Sequence, residues 1–424
     1  MLCKLPRGTV DILPGTVEKW QYVEDLFRKF SFLYGYKEIR TPIFEHTELF
    51  TRGIGETTDI VEKEMYTFLD KKGRSLTLRP EWTAPVMRSV IEHNMSLFPP
   101  LKLFYAGPIF RYERPQHGRY RQAHQLGIEV IGSDSPLLDV EVIDLIFRFY
   151  KNLGLKGLSV SLNSIGCAEC RPSSREKIIE FCRNNLDSLC DNCRSRFERN
   201  PFRILDCKNE SCRDVAAKCP STLETICEPC KDHFNTVTSC LDKINISYNI
   251  EHTLVRGLDY YTKTVFEVVS QDLGAQSSLC GGGRYDNLME VLGGKPSPGV
   301  GVAAGLERVI MVMEKQGLSF GPPHETGLMV IPLGKEASLY GVELVTRIRE
   351  EQFISAELSV SDKGLKGQLN LMNKMNIPFA IIIGDRELEQ KEVIVRDMKK
   401  GEQLSVKIDD LIDILKEKTD CHSR

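Results

Sequence analysis

From Val17 onward, apolar residues recur at spacings of three or four: Val17, Trp20, Val23, Phe27, Phe30 and Leu33. That period predicts an amphipathic helix over 16–34, opened by the Pro14-Gly15 turn and ended by Gly35. A short strand, Lys37 to Arg40, follows before Pro42. Two apolar stretches, Lys102–Tyr112 and Gln122–Ile131, flank a polar loop with Pro115 and Gly118 and predict a long antiparallel hairpin. Leu137–Leu153 reads as a helix, Tyr261–Ser270 and Pro298–Ala303 as strands, and Leu306–Lys315 as a helix. Gly281-Gly282-Gly283 and Gly293-Gly294 read as turns.

The pattern changes after Gly317–Pro323, a linker by composition. Strands at Leu328–Ile331, Ala356–Val360, Phe379–Ile383 and Glu392–Arg396 alternate with helices near 335–352, 364–375 and 408–418. This alternation predicts a compact α/β domain with a mostly parallel sheet. At about 150 residues per domain, 424 residues make two or three domains.

Charge narrows the partners. With 56 basic and 59 acidic residues there is no global basic field, so any nucleic-acid contact must use local patches. Neither a signal-peptide run nor ~18 consecutive apolar residues occurs, which predicts a cytoplasmic protein without a membrane partner.

Eleven of the 14 cysteines fall between Cys167 and Cys240. Cys167/Cys170, Cys190/Cys193 and Cys227/Cys230 are CxxC pairs, and Cys207/Cys212 is CxxxxC. Thiolates at these spacings can converge tetrahedrally, so the eight could serve two structural four-thiolate zinc sites. An iron–sulfur cluster and free thiols are the alternatives. Cys182, Cys219 and Cys240 lack the spacing and are expected as buried apolar residues. The stretch 160–246 is therefore read as an inserted cysteine-rich domain, with basic and acidic residues in balance.

The hairpin segment FRYERPQHGRYRQAHQLGIEVIG, Phe110 to Gly132, carries Arg111, Arg114, Arg119 and Arg121 with Glu113 among them. Arginine forks match phosphate oxygens two at a time, so such a hairpin can hold a triphosphate; a solvated basic loop is the bland alternative. Period two after Arg119 and Arg121 would place Gln125 and Glu129 on the same strand face.

These residues resemble the second signature motif of class II aminoacyl-tRNA synthetases, in the form found in the histidyl-tRNA synthetase family. Arg40–Phe68 resembles the first motif, with Pro42 at a homodimer interface; LRPEWTAP, Leu78–Pro85, resembles the histidine-ammonium site. LVRGLDYYTKTVFE, Leu254–Glu267, and LCGGGRYDNL, Leu279–Leu288, resemble the histidine-specific motifs, and GVGVAAGLERV, Gly299–Val309, the third class II motif. A dinucleotide loop is the alternative for the last, against which its GxGxxxG spacing counts.

The resemblance covers nearly the whole chain. It implies an α+β catalytic domain on an antiparallel sheet (1–159 and 247–322), the insertion (160–246), and a C-terminal α/β anticodon-binding domain (325–424). It implies an ATP- and magnesium-dependent ligase that forms histidyl-adenylate and pyrophosphate and then charges the tRNA for histidine. Arg111 and Arg256 would act on the α-phosphate. Arg111, Glu113, Arg121 and Arg308 would bind ATP. Glu81, Thr83, Arg111, Gln125, Glu129, Arg256, Tyr260 and Tyr261 would bind L-histidine. Lys363, Lys366 and Arg386 are RNA-contact candidates or solvated surface residues. The chain departs from the family at Trp82, where glycine is common. The alternative function is a non-catalytic histidine-binding regulatory paralogue in histidine biosynthesis. Such paralogues typically lack the C-terminal domain and the RGLDYY stretch, and both are present here.

Overall fold

The computed structural model describes residues 4–56, 58–115, 118–272, 278–321 and 326–420. Gln116 and His117 of the hairpin segment, Thr57 within Arg40–Phe68, and Pro322 and Pro323 of the linker lie outside that set. The chain divides into two compact units, Met1–Gly321 and Pro322–Arg424.

An eight-stranded sheet centres the first unit. Its order is Lys37–Glu38, Leu101–Phe110, Gln122–Ile131, Gly299–Gly305, Ser278–Arg284, Thr262–Ser270, Leu158–Ser164 and Tyr248–Ile250. The two outermost pairings are parallel and the six inner strands are antiparallel. Strand alternation divides its residues between two cores. Phe104, Leu126, Ile128 and Val130 meet the helices Val17–Leu33, Pro136–Asn152, Glu228–Lys243 and Leu306–Lys315 on one face. On the other face, Leu103, Tyr105, Ile109 and Ile131 pack with Trp82, Val86 and the insertion.

The first helix buries Trp20, Val23 and Phe27, as its period predicts, but Leu33 is exposed and Ser31 turns inward. Helix Pro136–Asn152 is capped by Ser135 Oγ, which accepts from Leu137 N at 3.3 Å. Two readings need correction. Gly281–Gly283 form no turn; they lie inside strand Ser278–Arg284. Arg119 and Arg121 do not share the strand face of Gln125 and Glu129, because the strand begins at Gln122 and both arginines belong to the connection before it.

A separate three-stranded sheet, Phe44–His46, Ser75–Leu78 and Tyr66–Leu69, lies within the stretch around the first motif. It leaves Ile43, Phe44, Phe68 and Leu69 exposed.

The second unit holds a five-stranded sheet ordered Ala356–Leu358, Leu328–Leu333, Phe379–Gly384, Glu392–Asp397 and Gln403–Lys407. Its first three strands are parallel and the last two add antiparallel, so the sheet is mixed rather than mostly parallel. Leu328, Val330, Ile381 and Ile383 face one core, while Met329, Ile331, Ala380 and Ile382 face another. Such two-sided burial explains the near-continuous apolar runs. Lys363, Lys366 and Arg386 are exposed.

Candidate active site

The site lies on the face of the large sheet turned away from the helices. Strand Gln122–Ile131 sends Gln125, Gly127 and Glu129 to this face by alternation, paired with Gly305, Ala303 and Gly301 across the ladder. Glycines make the floor. A Cβ at Gly301 would collide with the Glu129 carboxylate, one at Gly281 with the Arg256 guanidinium, and one at Gly127 with the Tyr105 ring. The glycine triplet is therefore strand backbone on which Arg256 lies flat.

Glu129 is 1% exposed and surrounded by hydroxyls. Its Oε1 accepts from Thr83 Oγ1 at 2.7 Å and Tyr105 OH at 3.1 Å, and its Oε2 accepts from Tyr285 OH. Burial pushes the carboxyl up to about 8, against the pull of Tyr285 and Thr83. Three donors leave acceptor capacity on the carboxylate, which can take about four hydrogen bonds. Tyr260 and Tyr261 extend the wall, with Tyr260 edge-on to Tyr285 at 5.7 Å.

Glu81 sits beside this group, 3% exposed. It accepts from Thr83 N at 2.7 Å and Ala84 N at 2.8 Å, satisfying the open N–H groups of helix Thr83–Glu92. Burial raises its pKa, opposed by those two backbone bonds. Thr83 therefore bridges both carboxylates through its backbone and its hydroxyl. Gln125 Oε1, at a position on the same strand face as Glu129, is buried and has no hydrogen-bond partner among the described residues.

Trp82 does not enter the pocket. Its ring, 2% exposed, stacks on Tyr105 at 4.7 Å and lies under the Arg79 guanidinium at 3.4 Å. Gly107 opposite makes the room, since a Cβ there would stand 2.9 Å from the indole. Arg79 donates to the carbonyls of Pro108, Thr41 and Pro42, and burial pulls it down to about 10. Trp82 thus builds a π–cation stack that supports Tyr105, one of the Glu129 donors.

The arginines of the cationic half come from three parts of the chain: the hairpin connection, the segment before Thr262–Ser270 and helix Leu306–Lys315. Arg111 Nε donates to Pro80 O at 2.7 Å, and its Nη1 lies 3.9 Å from Glu113. Arg119 reaches the same carboxylate at 3.2 Å. Arg308, on the helix after the floor strand, donates to Ser278 O at 2.7 Å; burial, then neighbouring Arg119, depress its pKa. Arg256 pairs with Glu267 and lies 5.8 Å from the Tyr261 ring, with its Nε buried and unpartnered among the described residues. Four guanidinium groups and Lys208 thus stand against Glu113, Glu267 and Glu64, a cationic excess suited to a polyphosphate. Arg121 differs: its guanidinium lies over the Tyr112 ring at 3.8 Å and its Nε faces Glu113 O at 3.5 Å. The partners Tyr105, Tyr285 and Glu267 were not among the sequence candidates. Glu267 nonetheless ends the first histidine-specific motif and Tyr285 lies within the second, which was a signal.

The thiols converge as two sets, Cys167/Cys170/Cys227/Cys230 and Cys190/Cys193/Cys207/Cys212, each with all sulfurs within 4.8 Å of one another. Measured separations are 3.7 Å (Cys167–Cys170), 3.8 Å (Cys167–Cys227) and 3.9 Å (Cys170–Cys230 and Cys190–Cys207). A tetrahedron with Zn–S of about 2.3 Å has an edge of about 3.8 Å, whereas a disulfide requires about 2.05 Å. Backbone N–H groups of Cys167 and Cys190 point at Cys170 Sγ (3.2 Å) and Cys212 Sγ (3.1 Å). Gly166 has φ +73°, and a Cβ there would stand 2.6 Å from Cys170 Sγ, so this turn requires glycine. Cys182 and Cys219 are buried in the apolar core; Cys240 is half-buried.

Comparison with known proteins agrees with this geometry. The family model described as histidyl-tRNA synthetase matches residues 8–309, and an anticodon-binding-domain model matches 328–418. The histidine–tRNA ligase of Pelotomaculum thermopropionicum is 52% identical over 421 residues, covering 99% of this chain and 98% of that protein. That of Desulforamulus reducens is 49% identical over 420 residues, covering 99% and 100%. The apo crystal structure of Staphylococcus aureus histidyl-tRNA synthetase superposes with TM-score 0.82 at 36% identity, covering 97% of this chain and 99% of that one. With the motifs, the Glu129 cage and the relatives in agreement from end to end, the chain belongs to the histidyl-tRNA synthetase family.

Proposed function

We infer that the protein is a working histidine–tRNA ligase, and that the observation carrying this is the juxtaposition of the Glu129 cage with the arginine cluster. The carboxylate of histidine attacks the α-phosphorus of ATP, pyrophosphate leaves, and the adenylate passes its histidyl group to a terminal ribose hydroxyl of the tRNA. Arg111 and Arg256 flank the α-phosphate, where negative charge develops in the transition state. Glu113 and Arg308 hold the adenine and γ-phosphate ends; Arg121 supports the loop through Tyr112. Magnesium enters with ATP as counter-charge to the β- and γ-phosphates.

Glu129 accepts the ring N–H of histidine, while Glu81, Thr83 and Gln125 receive its ammonium group. Tyr260 and Tyr261 wall the ring. A site built around hydrogen bonds to the imidazole discriminates against amino acids that lack them by roughly 10⁴-fold or more.

The two sulfur sets fit structural zinc, and four-thiolate coordination leaves no open position for chemistry. The exposed Ile43, Phe44, Phe68 and Leu69 support a homodimer through the first-motif sheet. No helix among the described residues is long and apolar enough to cross a membrane. The match of the anticodon-binding model supports tRNA as a partner and argues against the regulatory paralogue. Histidine-dependent exchange of pyrophosphate into ATP tests the reading: folded, metal-replete protein should catalyse it, and its absence would refute the enzyme.

A further inference from the structure

The insertion does more than pack beside the catalytic sheet, because it grips the segment 256–261. Arg171 directly follows the thiol Cys170. Its Nη1 donates to Tyr261 O at 3.1 Å and Asp259 O at 3.4 Å, and its guanidinium lies 5.0 Å from the Phe202 ring. Asn200 Nδ2 donates to Asp259 Oδ1 at 3.1 Å. Arg203 donates to Asp59 Oδ2 at 2.9 Å, pairs with Asp206 at 2.6 Å, and lies so close to Gly257 that a Cβ there would be 3.4 Å away. Arg196 joins this group to the second sulfur set, reaching Cys193 Sγ at 3.9 Å, Arg203 O at 3.2 Å and Asp59 at 3.8 Å.

Arg171 thus holds two backbone carbonyls of the segment, and Asn200 holds its Asp259 side chain. Asp259 N is held from the other side by Ile54 O at 3.0 Å, so the segment is clamped between the first-motif region and the insertion. Within the clamped segment, Arg256 pairs with Glu267 and Tyr260 meets the Tyr285 ring edge-on at 5.7 Å. The segment forms no helix or strand between Ile250 and Thr262, so side-chain contacts hold it, among them the Arg256–Glu267 pair and buried Tyr261.

We propose that Arg171 and Asn200 are positioning residues for histidine activation, through which the cysteine-rich insertion sets the placement of Arg256 and Tyr260. The proposal rests on the roles given to those two residues above. Small misplacements at a reacting centre are costly, so release of the clamp should cut kcat/KM for histidine by about tenfold to a hundredfold. KM for ATP should change little, because Arg111, Arg119 and Arg308 come from other elements, while the transition-state role of Arg256 at the α-phosphate shows in kcat.

The test measures pyrophosphate exchange by the full-length enzyme with Arg171→Met, Arg171→Lys and Asn200→Ala, varying histidine and ATP separately. The expected result is a loss in kcat/KM for histidine in Arg171→Met and Asn200→Ala with KM for ATP within about twofold. Arg171→Lys should recover most of that loss, since an ammonium group still donates to the two carbonyls. The proposal is overturned if the histidine parameters stay within about twofold of the unaltered enzyme, or if the histidine and ATP parameters fall together with the melting temperature without rescue by lysine. Arg256→Ala, assayed alongside, separates the two layers. Normal exchange there would refute the role of the segment itself, whereas lost exchange with unaffected Arg171→Met and Asn200→Ala would refute only the clamp.

Discussion

Replacing Glu129 by glutamine probes histidine recognition with almost no change of volume. The carboxyl is buried, takes hydrogen bonds from Thr83, Tyr105 and Tyr285, and keeps acceptor capacity toward the cleft. In Glu129→Gln the three hydroxyls can rotate to satisfy an amide, so the fold should persist and the melting temperature should move little. What disappears is the charge behind the bond to the imidazole N–H. Hydrogen bonds to charged groups contribute about 1.5–3 kcal/mol, which corresponds to a loss of about 10- to 150-fold in kcat/KM for histidine. The assay is pyrophosphate exchange across histidine concentrations at saturating ATP. A variant within about threefold of the unaltered enzyme would refute the assignment of Glu129 as the imidazole acceptor. The same residue predicts a pH dependence. Its pKa is raised from 4.5 to about 8 in the folded protein, so below pH 8 the substrate-free enzyme holds this proton. The kcat/KM for histidine should therefore rise through about pH 8, a limb that Glu129→Gln removes. Linkage gives the opposite sign for folding. Between pH 4.5 and about 8 the folded state binds a proton that the unfolded state does not, so this contribution to stability is full below 4.5 and lost as pH rises.

Three further outcomes are expected. Arg256→Ala should abolish exchange while circular dichroism and the melting temperature stay near those of the unaltered protein; exchange at a normal rate would remove Arg256 from the α-phosphate. Elemental analysis of protein prepared without chelator should find two zinc ions per chain, one per sulfur set, and Cys193→Ser should lose one of them; a metal-free protein would refute the zinc reading. Arg284, fully buried, donates to Asp139 on Pro136–Asn152 and to the Ser133 and Ser135 carbonyls, while His233 of the insertion meets Asp139 at 3.1 Å. Arg284→Met leaves Asp139 charged in the core and should cost about 3–5 kcal/mol in denaturant unfolding; a loss below about 1 kcal/mol would show that His233 alone suffices.

The sequence was most legible where periodicity and chemistry coincide. Gln122–Ile131 and Leu306–Lys315 have the predicted bounds, because each carries one clean apolar face. Gly281–Gly283 misled, since glycine breaks strands when judged locally; here each missing side chain makes space for a neighbour distant in sequence. Gln403–Lys407 went unread because it is a mostly exposed edge strand with Val406 alone buried. Spacing put the eight thiols in pairs, but which pairs meet depended on the helices Arg171–Arg183 and Glu228–Lys243 bringing distant segments together. Tyr105 carries no motif. Its role follows from the strand register that places it opposite Gly127 and from the Trp82 stack beneath it.

The glycine floor also bears on how such a pocket can change over evolutionary time or in the hands of an engineer. Gly301 exists where the Glu129 carboxylate lies, and Gly281 where the Arg256 guanidinium lies. Each pair is one unit of shape split between two strands or between a strand and a loop. Substituting either member alone leaves a collision or a void, so routes to a new amino-acid specificity pass through simultaneous changes at both. Site-saturation libraries that vary one position at a time would score this floor as immutable, while libraries built on the pairs Gly301/Glu129 and Gly281/Arg256 would reveal their epistasis directly.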